Sequence, residues 1–265
     1  MPDCPTNCAR KSEKVLQYTE NAFLGGQLRL RQPKSGHRAG HDAMLLAAAS
    51  RADQGERVVE FGAGVGAAGL ALVKRVGGLD LTLVEIEPEL AALARDNAAA
   101  NGIAAEVVVL DVAAPAQDFS AAGLLPDSTD LVLMNPPFND AARHRASPDA
   151  ARASAHVAAP GMLAQWVAAA RRILKSGGIL TLIWRADGLA DALAALDHGF
   201  GSLVILPVHG DARKPAIRIL LRAVKGGRAP AQILCGLMLT DEMGKPDRDA
   251  AAVLAGEEIL PMAMP

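Results

Sequence analysis

The sequence predicts an α/β fold: a doubly wound, seven-stranded, mostly parallel sheet with one antiparallel strand near its edge. Three observations lead there. From Glu56 onward, short apolar runs alternate with longer Ala-rich stretches of helical composition, which is the pattern of βαβ units. The first of these runs ends in Gly62-Ala63-Gly64-Val65-Gly66, a turn that leads directly into a helical stretch. The last two runs are joined only by Val208 to Pro215, too short for a crossover helix, so they form an antiparallel hairpin and the reversed strand lies at the edge.

Residues 1–36 are polar and rich in Arg, Lys and Gly, and 1–41 read as an N-terminal extension compatible with a short strand pair around Gln27 to Arg31. A helix is expected over Ala43 to Ala52. Strands follow at Arg57 to Phe61, Leu79 to Glu85, Glu106 to Leu110, Asp130 to Met134, Gly178 to Trp184, Ser202 to Pro207 and Ala216 to Ala223. Helices fall between them at Ala67 to Val76, Pro88 to Asn101, Pro160 to Lys175 and Gly188 to Asp197. Pro88 and Pro160 suit the first helical turn, and Gly102 and Gly177 suit helix ends. One domain is expected over 42–225, with 226–265 packed on it.

Composition sets outer limits. With 27 Lys+Arg against 29 Asp+Glu and 51% hydrophobic residues, the 265-residue chain is neither a disordered tail nor a polybasic nucleic-acid coat, and it has ample material for one core. Three cysteines give neither a disulfide framework nor a paired zinc motif, and no partner completes a tetrahedron around Cys4 and Cys8, so no metal is assigned. Met1 to Lys14 lacks a signal-peptide apolar core, and apolar runs break before about 18 residues, so a cytoplasmic protein without a membrane segment is expected.

The chemistry-bearing residues sit at successive strand ends. Glu60-Phe61-Gly62-Ala63-Gly64-Val65-Gly66 lets a ligand approach the backbone at a helix N-terminus, which marks a nucleotide-type cofactor site. Gly62, Gly64 and Ala67 equally satisfy a GxGxxA dinucleotide fingerprint. The second strand ends at Glu85, placed to accept from two ribose hydroxyls; Glu87 is an alternative, and either acid could instead favour the helix starting at Pro88. After the third strand, Asp111 could accept from an adenine amino group while a flanking apolar residue, Val112, covers the ring, or Asp111 could be a turn residue.

The fourth strand runs into Asn135-Pro136-Pro137-Phe138. Two prolines fix the backbone, deny it N–H donors and leave Asn135 and the Pro136 carbonyl as acceptors. Two acceptors suit a planar amino group: they bind its two hydrogens, draw its lone pair out of conjugation and aim it at an electrophile without a strong base. Phe138 offers a stacking face for a flat acceptor.

In this order EFGAGVG, VEIEP, LDV and NPPF resemble the class I, Rossmann-like, S-adenosylmethionine-dependent methyltransferases that modify exocyclic or amide nitrogen. Within that class the chain is similar to the small-domain bacterial type that includes tRNA adenine-N6 methyltransferases, over roughly residues 19 to 260, including Gly36 to Ala48 and Lys214 to Leu221. The resemblance implies S-adenosylmethionine as cofactor. Gly62, Gly64 and Gly66 would contact its methionine end with Glu60 beside them, Glu85 its ribose, and Ile86 and Asp111 its adenine. Asn135, Pro136 and Phe138 would hold the target nitrogen and ring, and Asn135 would also touch the cofactor. Asp42 would close over the methionine part, or would cap the helix at Ala43.

The reading is therefore an S-adenosylmethionine-dependent N-methyltransferase acting on an exocyclic adenine N6 in tRNA or another structured RNA. Alternatives are a protein glutamine N5-methyltransferase, an NAD-dependent oxidoreductase and a noncatalytic cofactor-binding module. Basic residues are uneven: Arg29, Arg31, Lys34 and Arg38 cluster with no acid from Gly25 to Gly40, and Arg143, His144, Arg145 and Arg152 follow NPPF, so either stretch could hold phosphates or be ordinary solvated surface. Arg213, Lys214 and Arg218 offer a third stretch. Trp166 and Trp184 fit core positions, and His156, His198 and His209 lack triad spacing.

Overall fold

The computed structural model describes residues 17–35, 38–137 and 161–264. It opens with an antiparallel hairpin, β1 (Tyr18–Phe23) and β2 (Leu28–Pro33), in which Tyr18 faces Pro33 and Glu20 faces Arg31. The chain continues through α1 (His41–Ala49), β3 (Arg57–Phe61), α2 (Ala67–Val76), β4 (Asp80–Glu85), α3 (Pro88–Ala100), β5 (Ala105–Val109), α4 (Ala116–Ala121) and β6 (Thr129–Met134). Then come α5 (Met162–Ile173), β7 (Leu174–Arg185), α6 (Leu189–Leu196), β8 (Phe200–His209), β9 (Ala216–Lys225), the two-residue strands β10 (Gln232–Ile233) and β11 (Leu237–Met238), and α7 (Arg248–Ala255).

The seven long strands lie in the order β8-β9-β7-β6-β3-β4-β5, with β10 and β11 added on the outer side of β8. Strands β3 to β7 run parallel, and β9 is antiparallel to both β7 and β8. The short link does make a hairpin, but the reversed strand is one position in from the edge. The crossover through α6 carries β8 past the neighbouring position, and β9 folds back into the gap, where its apolar run Ile219-Leu220-Leu221 is buried.

Alternation along each strand feeds two cores. Val58, Leu81, Leu83, Leu131 and Leu133 face α1, α2, α3 and the hairpin, whereas Val59, Phe61, Val84, Val132 and Met134 face α4, α5 and α6. Burial on both faces is why these strands read as largely apolar rather than as alternating, with Glu60 and Thr82 as buried polar exceptions.

Helix α4 was not expected, and several helix bounds differ from expectation, two of them at residues named above. Helix α1 begins at His41 with Gly40 as its N-cap, so Asp42 lies inside the first turn and does not cap it. Helix α5 stops at Ile173, and Lys175 to Gly178 form a bulge in β7 opposite the single residue Asp130, with Gly177 at φ +80° inside it rather than at a helix end.

The sheet order reverses between β3, which leads outward to β4 and β5, and β6, which leads to β7. Strand ends diverge there and leave a crevice at their C-terminal edge. Among the described residues no helix is long and apolar enough to cross a membrane.

Candidate active site

An open cleft enclosing about 480 Å³ of non-protein space lies at this crevice, lined by the loop after β3, the start of α1 and Asn135 at the end of β6. The floor is the glycine turn. Gly62, Gly64 and Gly66 have φ of +62°, +55° and +84°, which only glycine adopts without strain. A Cβ on Gly62 would stand 2.5 Å from the Trp166 ring, whereas one on Gly64 would meet nothing within 4 Å. Gly62 is thus held by packing, and Gly64 presents bare backbone to open space.

Two buried acids hold this turn from behind. Glu85, at the end of β4, accepts from the Gly64 N–H at 2.7 Å through Oε2 and from the Glu87 N–H at 2.9 Å through Oε1. Each carboxylate oxygen keeps a further lone pair for a ligand hydroxyl. Glu60, which lines the cleft, accepts from the Gly69 N–H at 2.7 Å in the first turn of α2. Burial pushes the Glu60 carboxyl up to about 8; the Gly69 and Ala68 N–H groups oppose the shift, and the neighbouring Glu85 charge adds to it. Near neutrality Glu60 is therefore largely protonated and can donate as well as accept.

Asn135 completes the cleft. Its Oδ1 is buried and has no hydrogen-bond partner. Buried acceptors are almost always satisfied, so an orphaned one in a cleft points to a donor supplied from outside. Pro136 beside it is buried and has no N–H to offer. Phe138, together with Arg143, His144, Arg145, Arg152 and His156, lies outside the described residues.

The remaining site candidates stand around this centre. Ile86 is 49% exposed at the end of β4, as an apolar ledge. Asp111 is exposed and closes its own turn, accepting from the Ala113 N–H at 2.8 Å, and Val112 is buried in the core facing α4 and α5. Asp42 does not line the cleft; its Oδ2 accepts from Arg218 Nε at 3.0 Å. Of the basic residues near the N-terminus, Arg38 is engaged by the hairpin, donating to Thr19 Oγ1, Asn21 Oδ1 and the Pro33 carbonyl.

Glu60, Gly62, Gly64 and Asn135 therefore meet in one cleft, with Gly66 and Glu85 as its supports. Ala39 and Ala43, within the Gly36 to Ala48 stretch and beside Asp42, also line it, whereas sequence reasoning missed Ala68 and Leu90. Small apolar side chains carry no chemical signature of their own.

Comparison with known proteins fixes the family. Residues 38–207 match the family described as "Methyltransferase small domain". A protein of Pedobacter heparinus named tRNA1(Val) (adenine(37)-N6)-methyltransferase is 28% identical over 202 residues, covering 75% of this chain and 82% of its own. An Aeromonas hydrophila protein of the same name is 28% identical over 209 residues, covering 78% and 84%. A solved structure of a "predicted O-methyltransferase" from Agrobacterium tumefaciens superposes with a TM-score of 0.69 at 31% identity, covering 83% of this chain and 98% of that one. A Thermotoga maritima S-adenosylmethionine-dependent O-methyltransferase, 16% identical with a TM-score of 0.50, shares the fold. These matches resolve the glycine turn in favour of S-adenosylmethionine over a nicotinamide dinucleotide and remove the noncatalytic reading. The chain belongs to the methyltransferase small domain family and is an S-adenosylmethionine-dependent methyltransferase.

Proposed function

We propose that this enzyme methylates the exocyclic N6 amino group of an adenine in tRNA, in the cytoplasm, from a catalytic unit spanning 42–225 with the segments on either side as additions to it. The observation that carries the reading is the orphaned Asn135 Oδ1 in the cleft, immediately before two prolines. The names of the relatives add the substrate class.

The residues present suit the cofactor. Bare backbone at Gly64 and a half-satisfied carboxylate at Glu85 match a ligand with a charged amino-acid end and a ribose diol. Gly62, Gly64, Gly66 and Glu60 would hold the methionine end, with Asp42 nearby, Glu85 the ribose, and Ile86, Asp111 and Val112 the adenine. When bound, S-adenosylmethionine supplies an electrophilic methyl group on a sulfonium sulfur.

The chain's own contribution is orientation. Asn135 Oδ1 and the Pro136 carbonyl accept one N–H each from the target amino group and hold its lone pair out of the ring plane. Phe138 is the residue that would stack on the ring, as the NPPF resemblance implies. A preorganised pair of acceptors needs no reorganisation during reaction, which is where most of such an effect arises. Transfer of labelled methyl to RNA, followed by digestion to nucleosides, tests the reading; label on a protein glutamine instead would reassign the acceptor.

A further inference from the structure

We infer that the exposed face of the β1–β2 hairpin, centred on Tyr18 and Arg31, is the docking surface for an unpaired RNA segment flanking the target base. The inference rests on the RNA reading above and adds where the RNA is held.

Alternation along β2 buries Leu28, Leu30 and Gln32 and turns Arg29 and Arg31 outward, and β1 turns Tyr18 and Glu20 to the same side. Tyr18 is the only tyrosine of the chain and is 49% exposed. The Arg31 guanidinium lies over its ring, 5.2 Å from the centroid. Such a stacked pair presents a flat face beside a fixed positive charge, and both halves of a nucleotide use it: bases stack on aromatic rings, and guanidinium binds phosphate. Lys34 is also exposed. The one acid on this face, Glu20, reaches Arg29 at 3.3 Å with both side chains half or more exposed, and so solvated a pair exchanges readily for a phosphate.

The face is tied to the cleft. Asn97 on α3 and Asn101 at its C-terminal cap bond to the backbone of alternate β2 residues: Asn101 with Arg29 N–H and carbonyl at 3.0 and 2.7 Å, Asn97 with those of Arg31 at 2.8 and 3.1 Å. The Asn97 Nδ2 also donates to the Val65 carbonyl at 3.0 Å, in the cleft wall. At the open end of the hairpin, Gln32 Oε1 accepts from the N–H of Ala39, which lines the cleft as well. A surface joined to the catalytic cleft through single side chains can set the distance between a bound flank and the target base.

The test uses the full-length enzyme and a labelled RNA stem-loop with an unpaired loop adenine, read by anisotropy across a salt series, by methyl transfer and by binding of S-adenosylhomocysteine. Tyr18→Ala is expected to weaken RNA binding roughly ten-fold, with Tyr18→Phe close to wild type because it keeps the ring. Arg31→Glu and Arg29→Glu are expected to weaken it and to lower the salt slope by about 1 each. S-adenosylhomocysteine affinity and the unfolding midpoint stay at wild-type values in all four. Wild-type RNA affinity in Tyr18→Ala and Arg31→Glu, with the enzyme methylating the stem-loop, would overturn the docking surface and leave the proposed function standing. A wild-type enzyme that neither binds nor methylates RNA would overturn the function itself, and the docking surface with it.

Discussion

Glu85 Oε2 accepts a 2.7 Å hydrogen bond from the Gly64 N–H, so the acid that ends β4 braces the glycine turn that follows β3. Its other oxygen accepts from Glu87 at the head of α3. One carboxylate thus couples the cofactor turn to the next strand and helix.

Glu85→Ala leaves the Gly64 and Glu87 N–H groups without their acceptor and removes the proposed ribose contact. The expected cost is about 1–3 kcal/mol of stability and a large loss of S-adenosylhomocysteine affinity. Glu85→Gln keeps one acceptor oxygen but turns its NH2 toward the other backbone N–H, so it is expected to lose affinity and to cost less stability than Glu85→Ala without restoring the wild-type value. Calorimetric titration beside thermal unfolding separates the two effects.

Substitution along the glycine turn separates packing from ligand contact. Gly64→Ala places a methyl in open space at φ +55° and is expected to cost about 1–2 kcal/mol while obstructing the cofactor. Gly62→Ala brings its Cβ within 2.5 Å of the Trp166 ring on top of a similar backbone strain, for an expected further cost of about 1–3 kcal/mol. Urea unfolding should rank Gly62→Ala below Gly64→Ala, whereas cofactor binding by the protein that remains folded should be impaired in both.

Glu60 gives a pH signature. Its carboxyl is raised from 4.5 to about 8 in the folded protein, so between those values the unfolded chain ionises while the folded one keeps its proton. The contribution of this group to stability is complete below the lower value and is lost as pH rises toward the upper one. Glu60→Gln, uncharged throughout and still able to accept from Gly69, should gain stability relative to wild type from about pH 5 to about pH 8. Urea unfolding of both proteins at several pH values checks this; a difference that stays constant with pH would contradict it.

Much of this molecule was legible in the sequence. Strand β3 and helix α2 match their expected bounds, because Val58, Val59 and Phe61 mark the strand and the glycines that follow punctuate it sharply. The hairpin of β8 and β9 followed from link length alone. The position of β9 between β7 and β8 did not, since a local sequence carries no record of which neighbours a strand finds. The same limit applied at the site. Glu60, Gly62, Gly64 and Asn135 were readable as strand-end chemistry, whereas Ala68 and Leu90 reach the cleft through tertiary packing. The bulge at Lys175 to Gly178 was taken for a helix end because glycine marks both.

The central claim is that Asn135 directs a methyl group to an adenine N6. The most direct test is transfer of labelled methyl from S-adenosylmethionine to RNA from a strain lacking this gene, with digestion to nucleosides, for wild type and Asn135→Ala. N6-methyladenosine is expected from the wild type, with a rate lower by roughly 10²–10³ in the variant, by analogy with loss of one preorganised polar contact. Label absent from RNA, or equal N6-methyladenosine from both proteins, would contradict it.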